Sequence, residues 1–170
     1  FDAMMPPENY FSEHPEYFSL IDGKRGGPYI LHQKGVHYQL CTTNPEVVQL
    51  CVEYLRKRFD ENPSLECESI SPNDGFGWCE CERCQALDSG ATVAKYGWTH
   101  RCVSDRIFTF VNQIARELRK THPDKTITVY VYSDHVLPPK SVGKIESNVI
   151  PMIATAASTG LNARRLVTCS

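Results

Sequence analysis

Thr126-Ile127-Thr128-Val129-Tyr130-Val131-Tyr132 (TITVYVY) is the stretch that decides how this sequence folds. Every residue in it is β-branched or aromatic, the side chains that suit a pleated, half-buried surface, so it reads as a strand. His122-Pro123 just before it stops a helix that begins about Ser104. In that helix Ile107, Phe108, Val111, Ile114, Ala115 and Leu118 recur at helical spacing. Asn112, inside the apolar run Phe110-Val111-Asn112, reads as an interior amide with its hydrogen bonds satisfied. Downstream, Val142–Glu146 reads as a helical turn. Asn148–Thr155 (NVIPMIAT) reads as a further strand, in which Pro151 points to a bulge or a sheet edge.

Upstream the pattern repeats. Leu65–Ser71 (LECESIS) reads as a strand, and before it lies a second helix. Asn44 can cap the free N–H groups of that helix and Pro45 suits its first position. Val48, Cys51, Val52, Leu55 and Phe59 form its apolar stripe, Arg56, Lys57 and Arg58 sit in its last turn, and Asn62-Pro63 ends it. Val36–Thr42 (VHYQLCT) is a short apolar run expected to be a strand. The first 35 residues carry too many prolines and glycines for long elements, although a helical turn fits Pro15–Leu20. Strand, helix, strand, helix, strand, strand is the order of an α/β protein with about four parallel strands and flanking helices. A long Cys-rich excursion, Pro72 to about His100, interrupts it. Residues 1–155 form the expected domain and 156–170 an irregular tail.

Composition bounds the function. The chain has 170 residues, 41% hydrophobic and 22% charged, which suits one folded domain and not a disordered segment. A formal charge of -2 leaves no electrostatic footprint for nucleic acid and no basic patch for an anionic membrane. No apolar run approaches the ~20 residues of a membrane span. The chain opens on Phe1 without an initiator Met or a basic-then-apolar leader, as expected of a processed chain or a portion of a longer one. Phosphate-loop, dinucleotide-turn, serine-elbow and zinc-protease helix motifs do not occur.

In parallel α/β folds ligands bind where strands end at their carboxyl side. That rule selects Thr42-Thr43-Asn44, Ser71-Pro72-Asn73-Asp74-Gly75, Ser133-Asp134-His135 and Thr155-Ala156-Ala157. Asn73 and Asp74 set an amide and a carboxylate at a sharp turn, with Gly75 and Gly77 permitting close backbone approach; Pro-Asn-Asp-Gly is also good turn chemistry in its own right. Phe76 and Trp78 follow, either as a stacking platform for a sugar ring or as anchors for the loop. Asp134-His135 could supply a second carboxylate and a hydroxyl-binding imidazole, or cap a turn. The significance of His14-Pro15-Glu16 depends on what it faces. Cys79-Glu80-Cys81-Glu82-Arg83-Cys84 is a Cys-x-Cys-x-x-Cys cluster. Thiolates so spaced can converge on zinc, which takes four tetrahedral ligands, and Cys102 and His100 are the nearest candidates for the fourth place. A disulfide plus a spare thiol fits the same spacing. Cys41, Cys51 and Cys67 read as small buried apolar residues.

Several of these segments resemble one family. Pro6–Phe11, Glu13–Arg25, Gln39–Val47, Ser71–Gly75 with Cys79, Cys81 and Cys84, and Asp105–Asn112 occur in the order found in domain of unknown function four-eight-three-eight, a family of bacterial polysaccharide-degrading proteins. The resemblance covers about residues 5–155. It implies part of a glycoside-hydrolase (β/α)8 TIM barrel, similar in layout to α-glucuronidases and β-hexosaminidases, with the remaining barrel strands in a parent protein. A full barrel takes ~250 residues, so this portion alone would be inactive. The implied activity is hydrolysis of glycosidic bonds in complex glycans by general acid catalysis. Asp74 would be the proton donor and Asp134 the second carboxylate, while Asn73, Trp78, His14, Tyr132 and His135 would contact the glycan. Catalysis of this kind requires no cofactor; a structural zinc at Cys79, Cys81, Cys84 and Cys102 would be separate. Polysaccharide degradation implies a periplasmic or extracellular location. Two other readings remain: a non-catalytic carbohydrate-binding scaffold using Trp78, Tyr132 and His14, and a metal-stabilised interaction domain around the cysteines.

Overall fold

The computed structural model describes residues 1–25, 39–95 and 98–154. The longest helix, α2 (Pro45–Glu61), begins where its capping chemistry lies: Asn44 Oδ1 accepts the Glu46 backbone N–H at 2.9 Å. It buries Val47, Cys51, Val52, Leu55 and Phe59 along one stripe. Before it come a short helix α1 (Pro7–Tyr10), in a region expected to be loop, and a 3-10 turn at Pro15–Tyr17. A small hairpin follows, β1 (Leu20–Ile21) against β2 (Lys24–Arg25). Its turn is Asp22-Gly23, both at positive φ, 48° and 74°. Asp-Gly is suited to that geometry because it relieves the side-chain clash of left-handed backbone.

Three strands make the central sheet. β3 (Cys67–Ser69), β6 (Thr126–Val131) and β7 (Val149–Ile153) lie in the order β3-β6-β7, and both pairings are parallel. Cys67 is opposite Thr126, and Val129 opposite Pro151. Between β3 and β6 the chain forms α3 (Glu82–Gln85), an antiparallel hairpin of β4 (Thr92–Lys95) with β5 (Trp98–Arg101), and helix α4 (Ser104–Arg119). Ile127, Val129 and Val131 point into the core, while Tyr130 between them is exposed. The core is the space shared by α2, α4 and this inner sheet face. Phe59, Leu55, Ile107, Phe110, Ile114 and Leu118 fill it.

The mixed α/β class and the parallel sheet are as the sequence implies, but the strand count is not. Among the described residues the sheet has three strands and does not close into a barrel. Residues 36–38 of the expected first strand lie outside the described residues. Its remainder does not join the parallel sheet, because Leu40 makes one antiparallel bridge with Phe18 and the chain then turns, the Asn44 N–H reaching the Cys41 carbonyl at 2.9 Å. Pro151 does occupy a sheet edge among the described residues, where its missing N–H is tolerated. The tail 156–170 lies outside the described residues.

Val142–Glu146 is an irregular loop and not the expected helical turn. The reason is Asn112. This buried amide donates to the Lys144 carbonyl at 2.8 Å and accepts the Glu146 N–H at 2.9 Å, so the loop bonds to α4 instead of to itself. Asp105, at the start of α4, holds the adjoining segment by accepting the Lys140 and Ser141 N–H groups and the Ser141 hydroxyl. Burial opposes its ionisation, yet these donors hold its carboxyl below the usual range.

Two substitutions test this layout. Leu55→Ala opens a cavity at a fully buried position and is expected to cost about 2–5 kcal/mol. Asn44→Ala removes only a cap and is expected to cost about 1 kcal/mol. Urea unfolding followed by circular dichroism should rank them in that order.

Candidate functional site at the strand ends

The loop after β3 and the turn after β6 meet. In Asn73-Asp74-Gly75-Phe76-Gly77-Trp78, Gly75 and Gly77 take φ of 116° and 85°, backbone that side chains resist, so the loop can double back with Phe76 and Trp78 beside the sheet. After β6, Ser133 takes φ of 50°, a strained value for a residue with a Cβ. The strain turns the chain at once into the 3-10 turn Ser133–His135, which buries Asp134 and His135. Strain of this kind persists only where surrounding structure holds it; here the Asp134 carbonyl accepts the Val103 N–H at 2.8 Å.

A connected polar and aromatic network results. The Trp78 indole N–H donates to Asp134 Oδ2 at 2.9 Å, and the Tyr132 hydroxyl donates to Asp74 Oδ1 at 2.6 Å. The His135 ring joins the two halves, edge-on to Trp78 at 5.6 Å and to Tyr132 at 5.1 Å, while its Nε2 meets the Tyr130 carbonyl at 3.0 Å. That carbonyl can only accept, so the Nε2 carries the proton. Burial, followed by the hydrogen bond to Asp74, pushes the Tyr132 phenol above its usual range and keeps it a neutral donor. Asp134 is 3% exposed; Asp74 is exposed.

Beside this network lies a cleft of about 650 Å³. Phe76, Trp78, His100 and Asp134 line it, with Asp22, Lys24, Glu80 and Arg101 adding charge. Phe76 and His100 stack at 4.6 Å with planes 14° apart, giving the cleft a flat aromatic wall. Asp74 and Tyr132 are not among its lining residues. Five of the residues selected from sequence (Asp74, Trp78, Tyr132, Asp134 and His135) therefore share one network, and two of these face the cleft.

The others go elsewhere. Asn73 pairs with Asp2, accepting its N–H at 3.0 Å and donating to its carboxylate at 2.5 Å, so it fastens the start of the chain. His14 contacts Glu16 at 3.0 Å and stacks on Tyr17 at 4.5 Å. Its ring lies with Glu16 and Glu46, apart from the cleft. Sequence reasoning missed the cleft contributions of Glu80, Arg101, Lys24 and Asp22. The β1–β2 hairpin brings in Asp22 and Lys24 and the β4–β5 hairpin Arg101, while Glu80 comes from within the Cys-x-Cys loop.

Cys79, Cys81 and Cys84 do converge, but the fourth thiol is Cys41. The sulfur atoms of these four lie within 4.8 Å of one another, with Cys41 at 3.7 Å from Cys81 and 3.9 Å from Cys84. Cys102 stands apart and contacts the Ser104 hydroxyl at 3.3 Å; His100 is in the aromatic wall. The group is almost enclosed: Cys41, Cys79 and Cys84 are buried and Cys81 is half-buried. All seven described cysteines are free thiols. Hydrogen bonds with Cys79 and Cys84 pull the Cys41 thiol down, and the contact with Cys41 pushes Cys79 and Cys84 up, so these three titrate as one coupled group. Four soft donors in one pocket are chemically suited to a soft cation.

Arg106 secures the thiol loop from below. Its side chain is 1% exposed, donates from Nε to Asp88 Oδ1 and from Nη1 to the Cys79 carbonyl, each at 2.7 Å, and adds a second bond to Asp88. Asp88 is 5% exposed at its side chain.

Fold and site together define an α/β domain whose strand-end loops, one of them bound down by a tetrathiol cluster, surround an aromatic and acidic cleft. The chain belongs to the family described as Domain of unknown function (DUF4838), which it matches over residues 1–163. No curated protein and no solved structure matches it.

The Arg106–Asp88 pair gives a direct test of how the loop is held. Asp88→Asn leaves the guanidinium buried without its counter-charge and is expected to cost about 3–5 kcal/mol. The double replacement Arg106→Met with Asp88→Leu is expected to recover part of that loss, as measured by urea unfolding.

Proposed function

We propose that this domain is part of a carbohydrate-active protein that hydrolyses glycosidic bonds in complex glycans. Asp74 is the proton donor, Asp134 the second carboxylate, and Trp78, Tyr132 and His135 shape the glycan subsite. The observation that carries the reading is the single network joining Asp74 and Trp78, after one strand, to Tyr132, Asp134 and His135, after the next. Glycan sites combine flat aromatic rings, on which the apolar face of a sugar rests, with carboxylates and imidazoles for its hydroxyls. The Phe76–His100 wall and Asp134 give the cleft both kinds of surface. A general acid must also be held in a fixed pose, and the bond from Tyr132 supports this role for Asp74.

The proposal extends to architecture and location. The three parallel strands correspond to consecutive strands of a (β/α)8 barrel completed by further strands of a longer parent. Support comes from β7, whose Ile150, Met152 and Ile153 are exposed at the sheet edge, where another strand would pair. Glycan breakdown of this kind belongs in the periplasm or outside the cell. Asp134 and Trp78 are already bonded to each other, and Asp74 stands outside the cleft lining. These placements favour a second reading, a non-catalytic glycan-binding domain.

One experiment separates the two. Full-length protein is first screened on a glycan array, and bound glycans are then assayed for release of reducing sugar. Turnover that falls at least about 100-fold in Asp74→Asn, the lower end of what a general acid supplies, supports hydrolysis. Undiminished turnover removes Asp74 from that role, and retention without turnover favours binding alone.

A further inference from the structure

We infer that Cys41, Cys79, Cys81 and Cys84 form a structural zinc site that clamps the turn before α2 to the loop carrying Phe76 and Trp78. This assignment stands apart from the glycan reading, since it depends only on the four thiols and their surroundings. Its first support is geometric. Zinc–thiolate bonds of about 2.3 Å in a tetrahedron put the sulfur atoms about 3.8 Å apart. The observed separations of Cys41 from Cys81 and Cys84 are 3.7 and 3.9 Å. A disulfide needs about 2.05 Å, so these separations are those of ligands around a shared centre and not of bonded sulfurs.

The surroundings supply the second support. A zinc ion with four thiolates carries two net negative charges, which need donors nearby. The Leu20 N–H donates to the Cys79 sulfur at 3.3 Å, and the Arg25 guanidinium lies 3.8 Å from the same atom. Arg25 is itself fixed by the Phe18 carbonyl at 2.8 Å. The Thr43 hydroxyl lies 3.1 Å from the Cys84 sulfur. A cluster of neutral thiols would not need a guanidinium; a tetrathiolate centre does. Four protein ligands close the coordination sphere and leave no open position for substrate or water, so the role is structural and not catalytic.

The two segments joined are distant in sequence, and Gln39 already ties them by donating to the Asn73 carbonyl at 2.7 Å. Cys41 precedes the Asn44 cap of α2, while Cys79 follows Trp78 directly and Cys81 and Cys84 flank the start of α3. The metal would cross-link them and hold Trp78 in register with Asp134. Binding is a ligand exchange without redox change: four thiols lose four protons as one zinc ion enters.

The test uses the full 170-residue chain, purified under reducing conditions and equilibrated with zinc chloride. Elemental analysis is expected to find about one zinc per chain. Cobalt(II) added to the stripped protein should give the visible absorption of a tetrahedral tetrathiolate centre, and zinc should bleach it. Cys41→Ser should abolish that spectrum, whereas Cys102→Ser should leave it unchanged. Should Cys41→Ser fail to fold, the wild-type chain still decides through iodoacetamide mapping. With zinc, Cys41, Cys79, Cys81 and Cys84 resist alkylation while Cys67 reacts, and a chelator opens all four. Iron in place of zinc, no bound metal, or a full cobalt spectrum in folded Cys41→Ser would overturn the assignment.

Discussion

The Arg106 fork is the interaction on which the rest of the structure depends. A guanidinium with 1% exposure can be kept in a core only if its charge is paired and its nitrogens bonded, and here each of the three nitrogens donates to Asp88 or the Cys79 carbonyl. Because guanidinium is planar and permanently charged, the geometry of the pair is set as a unit. The helix that carries Arg106 packs against the sheet and α2. The fork therefore transmits the position of the hydrophobic core to a long excursion that has little hydrophobic packing of its own. It acts together with the Trp78–Asp134 and Tyr132–Asp74 bonds, which tie the same excursion to the strand ends.

The strand ends themselves are built by backbone irregularity, not by regular structure. Positive φ at Gly75, Gly77 and Ser133 bends two loops sharply at the strand ends, and the bend at Ser133 buries Asp134 and His135. Trp78 and Tyr132 then act in opposite senses. One donates to a buried carboxylate and the other to an exposed one, and His135 fills the space between them. The result is a preorganised surface in which both carboxylates have a defined orientation before any ligand arrives.

Much of the scaffold was legible because it rests on periodicity. The stripe of α2 (with Val47 buried and the expected Val48 half-buried), the Asn44 cap, the face of α4, the β6 strand and the edge position of Pro151 all follow from local spacing, and the structure has each of them. What was illegible depends on contacts between distant residues. Cys41 lies 38 positions before Cys79, so no cysteine spacing joins it to the cluster, and its apolar neighbours made it look like a core thiol. Val142–Glu146 has helical composition, but one buried amide on α4 takes its backbone bonds. Asn73 and His14 carry the right chemistry for a binding site, yet one pairs with Asp2, 71 residues away, and the other with neighbouring Glu16. Residue type identified candidates; only tertiary placement sorted structural from cleft-facing ones. The cleft charges on the two hairpins had no sequence signal, because a short hairpin turns its side chains according to what it packs against.

The outer side of the sheet has a colloidal consequence. Tyr130 and Met152 are register partners on β6 and β7, and both are substantially exposed, at 45% and 38%. Ile153 at the end of β7 is 64% exposed. Among the described residues no further strand pairs with β7, and apolar side chains next to such an edge form a template for pairing with another chain. Pro151 removes one donor from that edge. The physical expectation is self-association that grows with concentration.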